Sequence, residues 1–136
     1  MRLEFISALP EYLQYLGGFD IALDTFPFSG ATTMCHTLWQ GVPVVSRAGE
    51  TGVSRMGKSI LNAIGLPELC AESSDQFVEI ASKLASDPDR LRELRATMRD
   101  RMKQSPLMDE AGYTRKVEAA YREMIAANLR VTPGQP

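Results

Sequence analysis

Ile21-Ala22-Leu23-Asp24-Thr25-Phe26-Pro27-Phe28-Ser29-Gly30-Ala31-Thr32-Thr33-Met34-Cys35-His36-Thr37-Leu38-Trp39-Gln40-Gly41-Val42-Pro43-Val44-Val45 is the stretch that decides the fold. Its first four residues form a near-continuous apolar run too short for a helix, the pattern of a strand covered on both faces. Pro27, Ser29 and Gly30 open a loop. Thr32 or Thr33 can then cap a helix whose apolar residues include Met34, Cys35, Leu38 and Trp39, with Gly41 as its stop. β-branched Val42-Pro43-Val44-Val45 reads as the next strand, with Pro43 near its start. Strands that enclose a helix belong to a parallel sheet, so the expected class is α/β.

Outward from this unit the same alternation holds. Upstream, Leu3-Glu4-Phe5-Ile6 leans towards a short strand, and Glu11 to Leu16 suit a helix that Gly17-Gly18 ends. Downstream, Ser54 to Ala63 reads as a helix ending at Gly65, and Leu66 to Cys70 as a short fourth strand. From Ser74 the period becomes helical. Phe77, Ile80, Ala81 and Leu84 recur behind a Ser-Ser-Asp cap region and before Pro88. A second helix, for which Asp89 can act as cap, carries Leu91, Leu94 and Met98 as its stripe, with Arg92, Arg95 and Arg99 on other faces, and ends at Ser105-Pro106. A third starts near Asp109 and spaces Tyr113, Val117, Tyr121 and Met124 along one face, ahead of a Thr-Pro-Gly-Gln-Pro tail. The expected organisation is one lobe over residues 1–126 and a flexible tail over 127–136.

Composition narrows the function classes. A chain of 136 residues holds one domain, and 44% hydrophobic with 24% charged residues is globular, which disfavours a disordered chain or a disulfide scaffold. A net charge of −2 gives no whole-chain attraction for nucleic acid or anionic lipid. No apolar run spans a bilayer, and the first residues lack a signal core, so a cytoplasmic protein is expected. Cys35 and Cys70 sit in apolar stretches without CxxC spacing, and there is one histidine. Buried thiols are therefore expected, with neither a disulfide nor a metal site.

The segment from Leu23 to Thr33 runs off a strand end, turns at Gly30 and enters a helix amino terminus. Ligands of open α/β sheets settle at the carboxyl ends of strands, and free N–H groups at a helix start favour anions. Gly30 allows close backbone approach, and the hydroxyls of Thr32 and Thr33 can donate to phosphate oxygens. The plain alternative is a small-residue turn before a capped helix.

Residues 23–45, followed by Ala48-Gly49-Glu50-Thr51-Gly52-Val53-Ser54-Arg55-Met56-Gly57, resemble the carboxyl-terminal catalytic lobe of the O-linked N-acetylglucosamine transferase family. Ser59 to Leu69, the helix ending in Arg99-Asp100-Arg101-Met102-Lys103-Gln104-Ser105-Pro106-Leu107, and the Tyr113-to-Met124 helix also resemble it in order and spacing, so the likeness covers residues 2 to 126. The resemblance implies a glycosyltransferase of the GT-B type with two Rossmann-like lobes. It implies transfer of a sugar, with inversion, from a uridine-diphosphate donor, here UDP-N-acetylglucosamine (UDP-GlcNAc), to Ser or Thr hydroxyls of a protein. No metal and no cofactor beyond the donor are implied. A helix amino terminus carries roughly half a positive charge plus directed donors, which suits a metal-free diphosphate site.

Carried over residue by residue, Thr32 and Thr33 match the paired threonines that hold the diphosphate beside Gly30. Ala31 stands where some members have a histidine and others a small residue. His36 stands where the family usually has an acidic residue on the ribose hydroxyls; imidazole offers one acceptor and one donor there, and a polar helix residue without ligand is the other reading. Tyr12 falls near a position on the uracil side, or packs into the core. Glu50, Thr51, Ser54 and Arg55 match a Gly-Glu-Thr-X-X-Ser-Arg block facing the cleft, where Arg55 either approaches the donor or braces the loop through Glu50. Met34 and Trp39 are assigned to packing. No catalytic base is assigned.

The resemblance also implies what these residues lack. The family lobe has six parallel strands, in which the third is separated from the fourth by the first two, and this chain begins at the third. The expectation is therefore a partial Rossmann-like lobe with parallel strands followed by a carboxyl-terminal run of helices, its sheet left with unpaired edges. Such a piece needs the amino-terminal lobe or a complementing chain. A non-catalytic remnant or regulatory piece that binds nucleotide or a partner chain is the alternative. A third reading takes the Arg-rich helices as a surface for acidic partners, against an ordinary solvated face.

Overall fold

The computed structural model describes residue 4 and residues 6–130. Among these, three parallel strands lie side by side in the order β1 (Ala22–Leu23), β2 (Val44–Arg47) and β3 (Cys70–Ala71). Ala22 and Leu23 stand opposite Val44 and Val45, and Ser46 and Arg47 opposite Cys70 and Ala71. The described residues also form six α-helices: α1 (Leu9–Gly17), α2 (Thr32–Trp39), α3 (Met56–Ala63), α4 (Ser74–Ala85), α5 (Pro88–Lys103) and α6 (Glu110–Arg130). The α/β class with parallel strands and a helical carboxyl-terminal run is thus the observed one.

Element limits differ from the sequence reading in instructive ways. β2 begins two residues later than expected, since Pro43 lacks an N–H and contributes only its carbonyl, which accepts the Ala22 N–H at 2.9 Å. The Ser54 helix opens as a 3₁₀ turn at Val53–Arg55, and the fourth strand is reduced to Cys70–Ala71 behind a second 3₁₀ turn at Pro67–Leu69. Leu3 and Phe5 of the first expected strand lie outside the described residues; Glu4 and Ile6 are not in a strand. Of the expected tail, residues 127–130 continue α6, and 131–136 lie outside the described residues.

The helix stops are where the glycines placed them. Gly41 and Gly65 take φ of 85° and 72°, and in each case the next residue's N–H reaches back, Val42 to the Thr37 carbonyl and Leu66 to that of Leu61. This left-handed closure satisfies the last carbonyls of α2 and α3 and is open to glycine at low cost. α4 is capped by Ser73, whose side chain accepts the Gln76 N–H. For α5 the cap is Asp87, which accepts the Arg90 N–H, and not Asp89: Pro88 occupies the first helical position, where its missing N–H costs nothing.

Leu38, Val45, Leu61, Leu94 and Met98 are fully buried between the sheet and α2 to α5. Arg95 ties α5 to the chain entering β1, donating to the carbonyls of Gly17 and Phe19, and Arg99 donates to that of Trp39 over whose ring it lies. Arg90 pairs with Glu68 and Glu93, and Arg92 with Asp89. These paired charges are those of a solvated helical face. The thiols of Cys35 and Cys70 are half-buried, less than expected, and free. The Tyr113, Tyr121 and Met124 face of α6 is exposed.

Candidate functional site

Asp24 directly follows β1, and the 25–30 loop is arranged around its carboxylate. Its Oδ1 accepts the N–H groups of Thr25 at 3.0 Å and Gly30 at 2.8 Å, while Oδ2 accepts the Ser46 hydroxyl at 2.6 Å from the neighbouring strand. The 25–30 loop is thereby folded back onto the sheet. Thr25 Oγ1 donates to the Phe28 carbonyl at 2.6 Å, and the Ser29 N–H donates to that of Val53 at 3.2 Å. Arg47 lies 4.1 Å over the Phe26 ring, a cation–π contact that holds the loop from β2. Gly57, at the start of α3, comes so close that a Cβ there would stand 2.8 Å from Asp24 Oδ2 and 2.0 Å from Ser46 Oγ.

The loop delivers the chain to α2 at the carboxyl edge of the sheet. Ala31 is the helix cap residue, and no side chain caps the helix. Thr32 and Thr33, expected as possible caps, are exposed instead, and no hydrogen bond of either hydroxyl is found among the described residues. The expected close approach at Gly30 is made by the chain's own Asp24, so the Gly30 N–H is already engaged. The donors left at this end are the amino-terminal N–H groups of α2 and the two threonine hydroxyls.

A cleft of about 230 Å³ opens beside them, lined among others by Leu23, Asp24, Thr25, Gly30, Thr33 and Thr37. Thr37 is buried and its hydroxyl donates to the Thr33 carbonyl at 2.8 Å, fixing the first turn. A larger recess of about 460 Å³ lies on α1 by Ile6 and Phe19, but its charged group is Glu11, unsuited to an anion.

His36 stands one turn after Thr32 on α2, and the Tyr12 ring meets its imidazole edge-on, centroids 5.8 Å apart. α1 packs on α2, which brings these two expected site residues together, both half-buried.

Glu50 and Arg55 do not pair with each other. Arg55 Nη1 donates to the Gly49 carbonyl at 3.3 Å, and Glu50 is exposed. The loop is braced from within: buried Ser54 accepts the Thr51 N–H at 3.1 Å and donates to the Thr51 carbonyl at 3.0 Å, while the Gly49 N–H donates to the Ser54 carbonyl at 3.0 Å. A turn already closed by its backbone needs no ion pair. Asp24, Ser46 and Gly57 were missed as site residues. The available signal was an acid at the end of an otherwise apolar strand.

Residues 11–117 match glycosyl transferase family 41. The chain belongs to that family. Among its relatives, the probable UDP-N-acetylglucosamine–peptide N-acetylglucosaminyltransferase SPINDLY of Solanum lycopersicum is 43% identical over 114 residues, 84% of this chain and 12% of the relative. The UDP-N-acetylglucosamine–peptide N-acetylglucosaminyltransferase of Caenorhabditis elegans is 36% identical over 105 residues, 77% of this chain and 9% of the relative. A mutant of the Thermobaculum terrenum O-GlcNAc transferase superposes with a TM-score of 0.80 at 35% identity, covering 87% of this chain and 23% of that one. The chain therefore shares the fold of part of that transferase, and spans about an eighth of the length of the Solanum lycopersicum relative.

Proposed function

We propose that this chain supplies the diphosphate and ribose side of the donor site in a glycosyltransferase that moves N-acetylglucosamine from UDP-GlcNAc to Ser or Thr hydroxyls of a protein acceptor in the cytoplasm. The observation that carries the reading is the start of α2: exposed, free of a side-chain cap, set at the carboxyl edge of a parallel sheet, with the Thr32 and Thr33 hydroxyls unengaged. Backbone N–H groups and the helix field offset charge where a sugar–phosphate bond breaks and the diphosphate leaves. His36 and Tyr12 lie on the ribose and base side, Ala31 at the phosphate turn, and Glu50 and Arg55 on the loop beside it.

In this reading the acceptor hydroxyl attacks the anomeric carbon opposite the leaving diphosphate. The charge developing there is met by the chain's own donors, so chelation of divalent ions leaves UDP binding unchanged. Among the described residues no strand pairs with the outer side of β1, where Leu23 is 60% exposed, and that edge suits pairing with further strands of the same lobe or with a complementing chain. That open edge also favours a second reading, a non-catalytic piece that engages a partner chain.

Titrating the ¹⁵N-labelled chain with UDP, with and without EDTA, tests the assignment. Amide shifts are expected over residues 30–36 in both conditions. Shifts confined to α4 to α6, or a requirement for metal, would contradict it.

A further inference from the structure

We propose that Asp24 is the positioning residue of the donor loop, setting the distance between the sheet and the phosphate donors of α2; the inference rests on the diphosphate reading above. A carboxylate beside an anion site is unfavourable through space, and its presence calls for a reason. The geometry supplies one. Both oxygens are spent on donors from the chain itself: the N–H groups of Thr25 and Gly30 on Oδ1, at 3.0 and 2.8 Å, and the Ser46 hydroxyl on Oδ2, at 2.6 Å. Charge-assisted bonds of this kind are about twice as strong as neutral ones, and they stabilise the carboxylate's charge where it stands. They tie the loop to β2, and the start of α3 at Gly57 packs closely against the same group.

Asp24 thus touches no phosphate in this scheme. It acts through Gly30, whose anchored N–H fixes where Ala31, Thr32 and Thr33 begin the helix, and Thr33 lines the same cleft as Asp24. The positioning depends first on where the acceptor oxygens stand, and the charge adds strength to it. Asparagine keeps an oxygen for the two N–H groups, and the Ser46 hydroxyl can accept from its amide nitrogen; alanine leaves all three donors without a partner.

The test compares Asp24→Ala and Asp24→Asn with the natural chain by calorimetry, using UDP and uridine as probes, with melting curves recorded alongside. UDP affinity should fall about tenfold in Asp24→Ala, stay within about threefold in Asp24→Asn, and uridine affinity should not move in either, since only phosphate donors are displaced. Equal UDP affinity in Asp24→Ala, or parallel loss of both probes, overturns the inference and leaves the donor-site reading standing. A natural chain that binds no UDP overturns both. Should Asp24→Ala be unfolded at the assay temperature, Ser46→Ala decides: a loss of about threefold for UDP with uridine unchanged supports the role, and unchanged UDP affinity overturns it.

Discussion

Thr32 and Thr33 matter because no hydrogen bond among the described residues uses their hydroxyls. Replacing both with alanine should therefore leave stability within about 0.5 kcal/mol of the natural chain, measured by urea unfolding. A loss of 2 kcal/mol would mean they serve the fold after all. Gly57 behaves in the opposite way: a methyl group there collides with Ser46 and Asp24, so Gly57→Ala should cost about 1–3 kcal/mol in the same assay. At His36 the prediction concerns recognition. A carboxylate accepts from two vicinal hydroxyls, whereas a neutral imidazole has one acceptor. His36→Asp should widen the preference for UDP over its 2′-deoxy analogue, and an unchanged ratio would place His36 away from the ribose.

At the scale of elements, the two aspartates flanking Pro88 separate a cap from a surface charge. Asp87→Ala should cost about 1 kcal/mol through loss of the bond to the Arg90 N–H, while Asp89→Ala, paired with exposed Arg92, should cost a few tenths at most, both read from thermal melts. Helix ends were legible in the sequence, because Gly41 and Gly65 are local signals with one conformational use. The α5 start was misplaced by two residues although the proline after Asp87 marked it. The strands shifted because Pro43 and the short turn at Pro67 reapportion hydrogen bonds that depend on the neighbouring strand. In the site, the order of loop, helix and threonines was legible for the same local reason. The Asp24 clamp and the meeting of Tyr12 with His36 were not, since each is made by elements closing in space.

For the whole molecule, one core carries the fold, and Leu94, fully buried from α5, lies within it. Leu94→Ala should cost about 2–5 kcal/mol, a large share of what a domain of this size has. Burial pushes the Cys35 thiol above its ordinary value of 9.0 and does the same at Cys70. Above that value the unfolded chain ionises first and the folded one holds more protons, so stability should decline as pH rises past 9, and Cys→Ala changes at both positions should flatten the decline. The proposed site lies at the carboxyl edge of a sheet in which, among the described residues, no strand pairs with the outer side of β1. The claim that these residues hold the diphosphate is tested most directly by calorimetric titration of UDP into the natural chain and into the Thr32→Ala, Thr33→Ala double variant. The account predicts a measurable heat for the first, and for the second an affinity at least about tenfold weaker with the melting temperature unchanged. No heat at millimolar UDP, or equal affinity in both proteins, would contradict it.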